Sequence, residues 1–227
     1  MKKYEFTGET KQISTINGPI TLHRIKASVA FGNIKSGDIG GWIEKKENLS
    51  HDGNAWVYGN AQVYGAAWVY GDAQVYGNAQ VYGDAQVYGN ACVYDNARVF
   101  GDAQVYGAAQ VYGNACVYGN AYVYDNARVF GDAQVYGAAW VYGDAQVYDD
   151  AQVYSIEHVL LVGLIGSRND YTTFFRNQNG GISVSCGCFL GEIDKFIEKV
   201  IETHGENKHA SVYRAAVELA KLQIGLE

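Results

Sequence analysis

A chain of 227 residues is long enough to bury the core of one or two domains. Its net charge of -7 argues against a polybasic surface for nucleic acid or anionic membrane, and 48% hydrophobic with 14% aromatic residues excludes a solvated disordered coil. Gly is abundant at 28 residues but does not recur at every third position, which excludes collagen.

The first residues, Met1-Lys2-Lys3-Tyr4-Glu5, carry basic side chains without an apolar stretch behind them, unlike a secretory signal. The longest apolar run, Val159 to Ile165, is far shorter than the ~18 residues of a membrane span, so no membrane association is expected. Residues 1–40 read as an N-terminal β cap. Tyr4-Glu5-Phe6 and Thr21 to Ala27 alternate like strands, with Asn17-Gly18 as the turn between them.

Residues 41–154 read as a solenoid. From Gly53 to Tyr154 one hexad, Gly-(Asn/Asp/Ala)-Ala-x-Val-(Tyr/Phe), repeats seventeen times without an insertion; Asp takes the Gly place at Asp95, Asp125 and Asp149. Ala and Val alternate with x and Tyr, the two-residue period of a strand, so Ala and Val point inward and x and Tyr outward. Gly followed by Asn or Asp is turn chemistry. Each hexad is therefore a short strand and a corner, and three corners close a triangular coil of about 18 residues, roughly 5.7 coils in all, with a right-handed solenoid as the alternative hand. Ile43 and Leu49 fall in the inward Ala register, so the solenoid begins irregularly near Gly41 with bulkier residues.

Residues 18 apart stack. The first face shows Trp56, Gln74, Cys92, Gln110, Arg128 and Gln146; the second Gln62, Gln80, Arg98, Cys116, Gln134 and Gln152; the third Trp68, Gln86, Gln104, Tyr122 and Trp140. Gln ladders are expected to link their amides along the rod, and aromatic rows such as Tyr70, Tyr88, Tyr106, Tyr124 and Tyr142 to stack beside them. Such rows are unusual exposed apolar surface, and at least one is expected to meet a subunit or a ligand. The segment Asp95 to Ala109 recurs as Asp125 to Ala139 at an offset of 30, which places the copies on different faces and disfavours a regular template such as an ice lattice. Cys92 and Cys116 fall on different faces, so no disulfide joins them.

Residues 155–227 read as a small α+β module. His158 to Ile165 is expected as a buried strand, followed by Tyr171 to Arg176 and Gly181 to Ser185 around the turn Asn177-Gln178-Asn179-Gly180. Ile193, Phe196, Ile197, Val200 and Ile201 have helical spacing with Gly205 as the stop, and Ser211 is the expected N-cap of a second helix running to Gln223. Cys186-x-Cys188 lacks zinc-knuckle spacing and is expected as buried strand packing. Ser167-Arg168-Asn169-Asp170 is an ordinary polar turn or a loop whose Arg168 takes an anionic group.

The Gly40-Gly41-Trp42-Ile43-Glu44 and Asn48-Leu49-Ser50 segments, the hexad array, Gly187 to Phe196 and Thr203-His204-Gly205 together resemble hexapeptide-repeat proteins of phages and prophages, some labelled polymer-forming cytoskeletal proteins. The resemblance covers nearly the whole chain. It implies a mainly β fold, a left-handed parallel β-helix with an N-terminal β cap and a small α+β C-terminal module. It further implies a viral or mobile-element origin and, with the sparse Cys, a cytoplasmic location, the host cytoplasm if phage-encoded. It implies no particular reaction.

Three functions compete. A hexapeptide-type acyltransferase needs a general base, and residues 53–154 contain no His, Ser, Thr, Lys or Glu; His51 and His158, just outside, suit capping better. An acidic DNA mimic, or a structural polymer, is the second possibility: nine Asp and two Arg put the entire net charge on the rod, but this is less than half the charge density of a duplex. The third is a non-enzymatic, homo-oligomeric binding protein that sequesters a small ligand or blocks a host protein, with a counter-defence role by analogy. The sequence favours the third, with whether the chain is an enzyme left open, no catalytic or metal-binding residue assigned, no cofactor expected and direct DNA binding disfavoured. Trp68, Tyr122, Trp140, Tyr124, Tyr142 and Arg168 are the candidate contact residues.

Overall fold

The computed structural model describes residues 2–225. Met1, Leu226 and Glu227, assigned above to the two end modules, lie outside the described residues. The chain is mainly β: a parallel β-solenoid of about six turns, preceded by strands and followed by a small sheet with two helices. Three long strands open it, β1 (Tyr4–Thr15), β2 (Gly18–Ala27) and β3 (Ile39–Ile43). Seventeen two-residue strands follow, β4 (Trp56–Val57) to β20 (Gln152–Val153), one per hexad. Each rung from β4 to β17 pairs in parallel with the rung 18 residues further on, as Gln104 with Tyr122 and Val105 with Val123.

The alternation does what the hexad chemistry demands. From Ala55 to Val153 each inward Ala, the third residue of its hexad, and each Val is at most 1% exposed, and together they form one dry axis. Corner glycines sit in the left-handed region; at Gly83, φ is +71° and an added Cβ would come within 2.9 Å of the Gly101 backbone nitrogen, so a side chain there is excluded twice over. Asp95 and Asp125 take the same conformation at φ 57° and 58°, and each carboxylate accepts the N–H one coil on, from Gly113 at 3.3 Å and from Gly143 at 3.4 Å.

Three expectations about the rod need correction. Ile43 pairs with Val63 and Leu49 with Val69, so both occupy the Val register and not the Ala register. The first coil holds 20 residues because the corner between Leu49 and Val57 is two residues longer than a hexad allows. Gly41 stands in the inward Ala place, where a Cβ would lie 2.6 Å from Val57 Cγ1. The Gln side chains do not join one another among the described residues. Instead the hydroxyls of Tyr64, Tyr70, Tyr88 and Tyr118 donate to Oε1 of the Gln sixteen residues on, at 3.1–3.4 Å. The amide ladder runs along a corner, Asn60, Asn78, Asn96, Asn114 and Asp132.

The second-face sheet is lengthened by the N-terminal strands into nine strands, and Tyr4, Ile25, Ala27 and Ile34 share the core of the rod. At the other end four antiparallel strands, β21 (Val159–Ile165), β22 (Asp170–Arg176), β23 (Ile182–Cys186) and β24 (Phe189–Glu192), carry α1 (Ile193–His204) and α2 (Lys208–Ile224). Adjacent side chains of β22 serve two cores: Phe175 packs on the rod end, Phe174 under the helices.

Here too the sequence reading is adjusted. β24 was not foreseen. Only Val159 of β21 is fully buried; Leu160, Val162 and Ile165 pack in part against the C-terminal core, and Leu164, on the opposite face of this edge strand, is 61% exposed. His158 closes a short 3-10 turn before it. The N-cap of α2 is Asn207, whose Oδ1 accepts from His209 and Ala210, and Ser211 lies inside the helix. Cys188 is exposed in the turn after β23, not buried on it. All four cysteines are free.

Candidate functional site

The third face gathers most of the residues singled out from sequence. Trp68 lies flat on Tyr70 at 4.0 Å, and the row Tyr70, Tyr88, Tyr106, Tyr124 and Tyr142 follows at 4.7, 4.9, 5.1 and 5.7 Å between ring centroids. The spacing is that of the strands, so the stack is set by the backbone repeat. At its far end Trp140 meets Tyr122 edge-on at 5.6 Å and Tyr124 at 6.3 Å. Trp68, Trp140 and Tyr142 remain 42%, 41% and 36% exposed. Tyr122, Tyr124, Tyr142 and Trp140 thus form one cluster, and Trp68 stands four rungs away at the other end of the face.

Of the other two rows, the first-face row is closed off and the second-face row is met only in part. The first-face row ends in Tyr148, 3% exposed, which packs edge-on against Phe175 at 5.1 Å and donates to the Val184 carbonyl at 3.2 Å. The second-face row ends in Tyr154, met edge-on by His158 at 4.1 Å and approached by Arg176 but still 41% exposed. The third-face sheet, like the first-face sheet, gains no strand from either end module; at its start it meets the Leu49 bridge and hydrogen bonds from Asn48 and Ser50. Burial raises the hydroxyl pKa of Tyr64 and Tyr94 within these rows to about 12.

Arg168 is apart from this cluster. Its guanidinium reaches the Cys188 sulfur at 3.7 Å on the rim of a hollow of about 370 Å³, lined also by Cys186, Phe189, Lys199 and Tyr213. Cys186 accepts from Thr172 Oγ1 and contacts the Tyr213 hydroxyl at 3.6 Å.

The histidines nearest the rod are structural in geometry. His51 Nδ1 accepts the Lys3 N–H at 3.2 Å while its ring stacks on Tyr4, and His158 Nδ1 accepts the Tyr154 N–H at 3.4 Å. Both are held below the usual imidazole pKa, chiefly by burial, with nearby Lys3 adding to the effect at His51 and Arg176 at His158. Several corner carboxylates are likewise engaged: Asp72 accepts from Asn54, Asp132 from Asn114 and Asp144 from Asn126.

A second cavity was not foreseen. The C-terminal sheet overhangs the first face and encloses about 590 Å³ lined by Arg128, Gln110, Gln146, Asp144, Asp170 and Tyr171, among others. Its anchor is the Gln146 N–H, which donates to Thr173 Oγ1 at 3.0 Å. Arg128 is visible in the sequence as a break in the Gln column, but its overhang depends on a pairing 27 residues apart.

The rod matches a known repeat. Residues 53–71, 73–89, 91–107, 109–125 and 121–137 fit a family model described as the YdcK beta solenoid repeat. No curated protein matches the chain. Among the described residues no helix is long and apolar enough to cross a membrane.

Proposed function

We propose that the chain is a non-catalytic binding protein that assembles with copies of itself through the third face of its solenoid. The observation that carries this reading is how the rows end: the first in buried Tyr148, the second in Tyr154, exposed but met by His158 and Arg176, and the third in two exposed rings, Trp140 and Tyr142, with no ring of the C-terminal module against them among the described residues. Large aromatics held rigid by stacking lose little entropy on contact and are the common anchors of interfaces. In the viral or mobile-element setting that the sequence resemblance implies, the assembled rods sequester a small ligand or occupy a host protein, a counter-defence role.

Light scattering of the wild type beside a Tyr122→Ser, Trp140→Ser double variant tests the interface, with circular dichroism to verify that the rod persists. The wild type is expected above monomer mass at micromolar concentration and the variant below it. A monomeric wild type refutes assembly; an unchanged variant refutes this face.

A further inference from the structure

We propose that the cleft between the first face and the C-terminal sheet is a binding site for a neutral saccharide. The cleft, about 590 Å³, is within the range of small-molecule sites. Arg128 supplies only donors, Asp144 and Asp170 only acceptors, and Gln110, Gln146 and Ser185 both. A ligand matching this mixture carries many groups that each donate and accept, which is the chemistry of clustered hydroxyls. One guanidinium against two carboxylates disfavours a phosphate-rich anion.

The hydrogen bonding of the rod differs on the face above which the cleft opens. On the second and third faces Oε1 of Gln80, Gln86, Gln104 and Gln134 accepts from the Tyr hydroxyl sixteen residues earlier, and among the described residues no Gln of the first face does. Sixteen before Gln146 stands Phe130, which has no hydroxyl, and sixteen after Tyr112 stands Arg128, which has no acceptor. No carboxylate lies within ion-pair distance of Arg128 among the described residues. The lattice therefore leaves the guanidinium and the Gln146 amide to whatever enters the cleft. Tyr171 is pressed against Gly163, where no side chain has room, and remains 37% exposed; with Leu164 at 61% exposure it offers the C–H face of a sugar ring an apolar lip.

The repeated segment contains its own control. Arg98 is the equivalent of Arg128 in the first copy, but its Nη2 donates to Cys116 Sγ at 3.3 Å on the second face, away from the overhang. Gln is the rod's usual residue at this place, so Arg128→Gln and Arg98→Gln both keep the fold. Calorimetric titration with maltotriose, cellotriose and tri-N-acetylchitotriose, and with inorganic phosphate and ATP, tests the site. We expect at least one saccharide to bind, Arg128→Gln to weaken it roughly tenfold or more, and Arg98→Gln to leave it unchanged. Silence from all three saccharides, binding of phosphate or ATP in their place, or equal affinity in Arg128→Gln overturns the proposal.

Discussion

The two ends of the rod solve opposite halves of one hydrogen-bonding problem. Along the solenoid the N–H groups of the x and Tyr positions donate to the Ala and Val carbonyls of the next coil, as Gln104 to Ala121 and Tyr106 to Val123. The first coil is therefore left with carbonyls and the last with N–H groups. At the start, donors are brought in: Lys3 Nζ to Gly53 and Ala55, Asn48 Nδ2 to Gly65 and Ala67, and the backbone of Trp42, Glu44 and Ser50 to Ala61, Val63 and Val69. At the finish, acceptors are: Thr173 Oγ1 for Gln146 and His158 Nδ1 for Tyr154. The chemistry of a cap follows from the direction in which the ladder points, and an edge so occupied no longer templates another chain.

The largest effect belongs to a change that ignores the ends. Val105→Asp places a carboxylate on the dry axis, 0% exposed, and is expected to cost about 4 kcal/mol or more, whereas Gln104→Asp on the outer surface costs about 1 kcal/mol. Equal thermal shifts would reverse the inward and outward assignment on which both caps depend.

Next comes Asn48→Leu at the donor-capped end. It strips two carbonyls and the Lys45 N–H of their partner in a site that is 0% exposed, and is expected to destabilise by roughly 2–4 kcal/mol in chemical denaturation. Thr173→Val at the acceptor-capped end orphans a single N–H, for about 1–2 kcal/mol, while Thr173→Ser keeps the acceptor and most of the stability. A Thr173→Val loss matching that of Asn48→Leu would mean that the two ends do not differ in this way.

The smallest effects are in pH. Burial lowers Lys3 from 10.5 to about 8, so between those values the unfolded chain binds more protons and stability rises with pH. Tm is expected to climb from pH 8 to 9.5, before the buried tyrosines, whose raised pKa reverses the slope above about 10, begin to dominate. Lys3→Met should flatten the climb. His158 and His51 are lowered from 6.5, so stability falls as pH drops below 6.5, and His158→Asn should remove the share belonging to the finish of the rod. A Tm independent of pH on both sides would detach the caps from the ends.

The rod was legible because each rung repeats the same local statement: Ala and Val inward, Gly at φ near +70°, register every 18 residues. What was not legible is what depends on neighbours distant in sequence. Ile43 and Leu49 match the Ala period on paper, and only the pairing with Val63 and Val69 shows the corner after Leu49 to be two residues longer. Ser211 has the chemistry of an N-cap, but Asn207 stands one turn earlier with its carboxamide already on the helix. The third-face aromatics could be grouped by counting in eighteens. Counting also puts Arg128 and Arg98 on different faces, but it could not show which of those faces the C-terminal sheet overhangs.

Because a coil is three hexads, the rod is also a means of aiming its two ends. Adding or removing three hexads changes its length by one strand spacing, about 4.8 Å, and leaves both ends on their original bearing. A number of hexads that is not a multiple of three turns one end relative to the other in steps of about 120°. The repeat of Asp95 to Ala109 at Asp125 spans five hexads. Deleting residues 95–124 would keep Arg128, Gln146 and the overhanging sheet together, yet swing the N-terminal hairpin to a different side of the axis. The bearing of that hairpin on the cleft is thus heritable as an integer, altered by slippage in the repeat without a single change of side chain.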